Sequence, residues 1–238
     1  MTIGMKYPAC TFLAALGSLF MSSALADTTL WYNGDVTAGG GTVNEESSNV
    51  GAARVFENFT VTSPGGWLLD RIWSNDTMNL SGVSSAFWSI NSGMSAGNPG
   101  TIVASGISFA TQTPTGRVNP SLPGYTEYKI EISGLNVTLG PGTYWLCVSP
   151  QIGNEPFSNG TLRSYVSVTF GANAVGTPAG TGGGGFLYWP YGGYNYAPSF
   201  FAQDYSLGVA GAVVPEPATG MMLLAGCAVS LFSRRREG

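Results

Sequence analysis

The chain has 238 residues, of which 44% are hydrophobic and only 9% charged, and its formal net charge is −4. It contains 35 glycines and no histidine, so Ser–His–Asp and Cys–His catalysis are excluded and the commonest general base is absent. Residues 27–214 hold eleven acidic side chains against five basic ones (Arg54, Arg71, Arg117, Lys129 and Arg163). That body carries a charge of −6 and offers no electrostatic footprint for nucleic acid.

Residues 1–26 read as a secretory signal peptide. Lys6 gives a positive start, residues 9–21 are mostly apolar, and Ser22-Ser23-Ala24-Leu25-Ala26 closes with small residues at cleavage spacing. The apolar stretch is too short to span a bilayer. Of the three cysteines, Cys10 falls in this leader and Cys227 near the C-terminus, so Cys147 alone belongs to the body and no disulfide can form within it. Cys147 reads as a small buried hydrophobe.

The body, residues 27–212, is expected to be one all-β domain. Strand candidates are 29–36, 54–61, 67–73, 83–90, 101–109, 164–170 and 206–210, about nine or ten strands with the two below. In TEYKIEI (126–132), Tyr128, Ile130 and Ile132 share one face and Glu127, Lys129 and Glu131 the other, the period of a half-buried antiparallel strand. GTYWLCVSP (142–150) repeats that period. Pro-Gly turns punctuate the runs and no helical period persists, so the fold class expected is an antiparallel β-sandwich, jelly-roll-like, with a closed barrel as the alternative.

Three groups are candidates for chemistry. Asp70, Asn75 and Asp76 in DRIWSNDTMN supply oxygen ligands of the kind calcium prefers, but without EF-hand spacing, and a side-chain-capped turn is the simpler reading. Glu127 and Glu131 are the nearest approach to a glycosidase pair. Their backbones lie roughly 13 Å apart along one strand, so they read as a solvated strand face. In 171–201, a four-glycine run precedes clustered aromatics. This segment reads either as a surface loop covering the core edge or as a sugar-stacking platform of Trp189, Tyr191, Tyr194 and Tyr196. No cofactor or metal is expected.

The chain closes with Pro215-Glu216-Pro217, an apolar segment at 218–232, and Arg234-Arg235-Arg236. As a helix, 15 residues span roughly 22 Å against a hydrocarbon core of about 30 Å, which suits a temporary stop better than a permanent anchor. The arginines stay cytoplasmic and the body outside. The two prolines keep Glu216 extended and exposed beside the membrane. These three parts in this order resemble the PEP-CTERM sorting signal.

The resemblance implies export, transient anchoring in the inner membrane through 218–232, and recognition by exosortase, a membrane transpeptidase-like enzyme, in a two-membrane bacterium that makes exopolysaccharide. Carried over, Pro215, Glu216 and Pro217 are recognition residues, and Arg234, Arg235 and Arg236 are the stop signal. RVFENFTVTSPGGWLLDRIW and SGLNVTLGPGTYWLCVSP resemble segments of uncharacterised β-rich proteins of this kind. The expectation is a non-enzymatic surface or extracellular-matrix protein with a sorting signal at 213–238. The alternative is a carbohydrate-binding module contacting exopolysaccharide through its loop aromatics.

Overall fold

The computed structural model describes residues 28–47, 51–153, 164–179, 183–199 and 204–216. The leader (1–26), Pro217, the apolar tail (218–232) and Arg234, Arg235 and Arg236 lie outside them. In chain order the strands are β1 (Thr28–Tyr32), β2 (Asp35–Val43), β3 (Glu45–Ser47), β4 (Gly51–Val61), β5 (Trp67–Met78), β6 (Ser85–Ser92), β7 (Thr101–Phe109) and β8 (Thr111–Pro114). They continue with β9 (Thr126–Ile132), β10 (Val137–Leu139), β11 (Gly142–Pro150), β12 (Ser164–Ala172), β13 (Phe186–Trp189), β14 (Tyr194–Pro198), β15 (Asp204–Tyr205) and β16 (Leu207–Val213). Among the described residues no helix is long and apolar enough to cross a membrane.

The strands form two antiparallel sheets around a shared core. β5 is the spine of the nine-stranded sheet, flanked by β16 and β12 along one edge and by β10 and β9 along the other. The seven-stranded sheet runs β14-β13-β4-β11-β6-β7, with β3 on β4. Trp31, Leu69, Ile72, Ile132 and Val209 from the first sheet meet Val55, Phe59, Ile90, Leu146 and Val148 from the second. Phe59 reaches across the layer to stack on Trp31 at 5.4 Å and on Trp67 at 6.0 Å between ring centroids.

The structure corrects three sequence expectations and adds a strand that they lacked. DRIWSNDTMN is not a turn, because β5 runs unbroken to Met78. Its pairing with β16 slips by one residue between Arg71 and Leu69, leaving Asp70 bulged. That extra residue resets the alternation, so Trp67, Leu69 and Ile72 all reach the core. The segment 171–201 is not wholly loop, because β13 and β14 form a hairpin that joins the second sheet through β4. The glycine-rich run at 38–43 is strand; at Gly41 a Cβ would lie 2.8 Å from Tyr165 Cβ, so only glycine lets β2 approach β12 there. Finally, Glu127 is not solvated but fully buried.

Candidate functional site

β16 lies inside its sheet, between the edge strand β1 and β5, and ends at the exposed Val213. The chain then leaves the fold with almost no slack. Val214 N–H still donates to the Gly66 carbonyl at 3.0 Å, and Pro215 and Glu216 follow directly, both exposed. Pro215 has no N–H to donate, so the ladder stops there. The Ser63-Pro64-Gly65-Gly66 turn holds this exit. A Cβ on Gly65 would lie 2.0 Å from the Val214 carbonyl oxygen, and Gly66 sits at φ +83° beneath the Leu139 carbonyl. Thr28, where β1 begins, pairs with Gly211, so both ends of the described body emerge at one pole.

The four aromatics at 189–196 do not share one platform. Trp189 and Tyr194 face each other across the hairpin, 6.2 Å between centroids, and line a pocket of about 200 Å³ with Gly41, Thr42, Val43, Arg54 and Leu187. Trp189 Nε1–H is itself buried without an acceptor. Tyr191, 78% exposed, sits at the hairpin tip. Tyr196 turns to the sheet's outer face, 4.8 Å from Tyr188 and 5.8 Å from Phe56. There it helps to cover a second small core containing Phe56, Met94 and Cys147. Cys147 is fully buried, and that burial pushes its thiol pKa up, away from nucleophilic use.

The carboxylates that the sequence suggested are dispersed. Asp70 is half-buried at the bulge. Asn75 and Asp76, neighbours on one strand, point to opposite faces. Asn75 Nδ2 donates outward to Tyr32 Oη (2.9 Å) and Ser206 Oγ (2.7 Å). Asp76 accepts from Asn44 Nδ2 (2.8 Å), Ser164 Oγ (3.3 Å) and Ser74 Oγ inside the layer. Burial raises the Asp76 pKa to about 7, those donors opposing it. Glu131 pairs with Lys129 and Arg71, away from Glu127. Among the described residues no three His, Cys, Asp or Glu side chains could hold a metal ion.

One constellation had no sequence signature. Arg117 donates to Asp35 Oδ1 and Glu127 Oε2, both at 2.6 Å, beside a pocket of about 400 Å³ that Tyr32, Trp73, Asn75 and Lys129 also line. Burial alone would raise the Asp35 pKa, but hydrogen bonds from Tyr32 and Asn173 and the Arg117 charge hold it below its ordinary value. Asp35 and Arg117 are 82 positions apart, so only the fold could bring them together.

Comparison with known families matches residues 213–236 to the PEP-CTERM protein-sorting motif. No curated protein and no solved structure matches the chain. The match begins at the last residue of β16 and takes in the exposed Pro215-Glu216. Such a motif implies exosortase as processing partner, export, and a transient membrane-anchored stage. By its matched residues and by the strand that delivers them to the surface, the chain carries a PEP-CTERM protein-sorting motif.

Proposed function

We propose that this is a non-enzymatic, exported β-sandwich of jelly-roll type. In this reading its body reaches the cell surface or extracellular polysaccharide matrix of a two-membrane bacterium after exosortase acts near Pro215-Glu216-Pro217. The leader opens export, the short apolar tail stalls in the membrane, and Arg234, Arg235 and Arg236 stop further passage. The extended prolines then offer Glu216 to the enzyme. The observation that carries the reading is the exit of β16, a strand paired on both sides, directly into the exposed Pro215-Glu216 segment. Replacing Pro215, Glu216 and Pro217 with alanine should leave full-length, membrane-bound protein by immunoblot of fractionated cells. Normal release of the body from that variant would refute the reading.

A second reading, carbohydrate binding, draws support from the Trp189–Tyr194 pocket, where two aromatic rings 6.2 Å apart flank a cavity of about 200 Å³. Pull-down on the host's exopolysaccharide should then retain the body and lose Trp189→Ala and Tyr194→Ala at least tenfold, while Tyr191→Ala binds as before. Equal retention of all variants would remove this reading.

A further inference from the structure

We infer that the precursor sits with one pole of its body against the lipid headgroups of the membrane that holds its tail, the pole where Thr28 and Val213 emerge side by side. This rests on reading 218–232 as a membrane segment. Between Val214, still bonded to Gly66, and Ala218 lie four steps of chain, at most about 14 Å fully extended. The headgroup layer takes roughly 6 Å of that, half the difference between total and hydrocarbon thickness. About 8 Å remains between body and headgroups, one Debye length at physiological ionic strength. The folded body therefore has no freedom to tumble on a tether, and its orientation follows from its topology.

The identity of that pole follows from register. β5 starts there at Trp67, β10 ends there at Leu139 opposite it, and β4 ends there at Val61 opposite Gly142 of β11. The turns that close this end, residues 62–66, 93–100 and 140–142, contain no Asp, Glu, Lys or Arg. For a body of charge −6 beside an anionic surface, an end whose closing turns carry no charge approaches with the least repulsion, Glu216 being the carboxylate of the exit segment itself. Gly65 and Gly66 act here as positioning residues. They let the turn close on Val214, so the motif leaves the pole at a fixed point. The opposite pole holds the loop before β9, with Val118 77% exposed. It lies roughly 36 Å away, eleven strand steps along β5.

The test uses the full chain with Cys10 and Cys227 replaced by serine, Cys147 being buried, and a fluorophore on Thr62→Cys or Val118→Cys. Each is bound to phosphatidylglycerol–phosphatidylethanolamine vesicles that carry a nitroxide on the headgroup. The Thr62 label should be quenched at least threefold more than the Val118 label. Twelve-residue Gly-Ser linkers before Thr28 and after Val214 should abolish the contrast. Thermal unfolding of each labelled chain checks that the fold is intact. Equal quenching at the two poles on vesicle-bound protein would overturn the orientation, as would a contrast that survives the linkers. A chain that does not float with the vesicles at all would instead overturn the membrane reading of the tail, and the orientation with it.

Discussion

Asp76 and Glu57 are carboxyls placed where water does not reach; Glu57 bonds directly across the two sheets, and Asp76 does so through Asn44, whose Nδ2 also donates to the Val148 carbonyl. Glu57, on β4, accepts the Tyr205 N–H from the opposite sheet and the N–H of Asn58, each at 3.0 Å. Burial, and then the neighbouring Asp204, raises its pKa well above the ordinary carboxylate value. Asp76 shifts the same way, to about 7. From about pH 4 to about pH 7 the folded protein therefore holds protons that the unfolded chain has released. Asp76 makes stability fall as pH rises through that window, by up to about 1.4 kcal/mol per pH unit, and its contribution levels off above it; Glu57 acts in the same direction. Asp35 has the opposite sign, and its contribution is lost only below its ordinary pKa. Thermal midpoints measured across this window should decline with pH, and Asp76→Asn, which cannot ionise, should flatten the decline. A midpoint that rises from pH 4 to 7 would contradict the assignment.

At the scale of elements, β9 and β11 show what alternation in a sequence reports. Ile130, Ile132, Leu146 and Val148 reach the main core as the period of two predicts. The same period assigned Glu127 and Cys147 to outer faces, which is correct, but it could not say that those faces are covered. Glu127 is roofed by the loop carrying Thr115 and Arg117, and Cys147 by Tyr196 and Met94, all distant in sequence. β2, β13 and β14 were illegible because Gly39, Gly40, Gly41 and the run of tyrosines carry no alternation to read. The sorting motif at 213–236 was legible, because its signal is local order along the chain and needs no partner strand.

Trp73 is a related case on an outer face, only 6% exposed although no sheet packs on it. It lies across Gly208 of β16 with Lys129 Nζ 4.3 Å above its ring, and a Cβ on Gly208 would meet Trp73 Cζ2 at 2.2 Å. Gly208→Ala should force the indole off the strand and cost about 1–3 kcal/mol, a fall of about 5 °C in the thermal midpoint. The same substitution beside Trp73→Ala should cost little further, because the clash is gone. Additive losses in the double variant would refute this account.

For the whole molecule, the position of β16 orders folding relative to export. A chain that crosses the membrane from its N-terminus delivers β1 first, yet β1 pairs in the nine-stranded sheet only with β16, the last strand to emerge. β5 likewise waits for β16 to cover seven of its residues, from Trp67 to Ser74 across the bulge. The layer can close only when Val213 is outside, which is also when the motif at 213–236 reaches the membrane. On the proposed route, completion of the fold and presentation of the signal would coincide, and the enzyme would meet a finished body. A chain ending at Val214 keeps every strand and the Val214–Gly66 hydrogen bond, and should be exported, fold, and melt within about 2 °C of the naturally released body, since removing residues beyond the last ordered contact alters little. A chain ending at Ser206 loses β16, exposes Trp31, Leu69 and Ile72, and leaves β1 without its partner strand, with the Tyr32–Val175 bridge remaining at its end. Pulse–chase in the periplasm should show it degraded within minutes while the longer chain persists. A stable, protease-resistant body from the shorter chain would mean that the sheet closes without β16 and would break the link between folding and sorting.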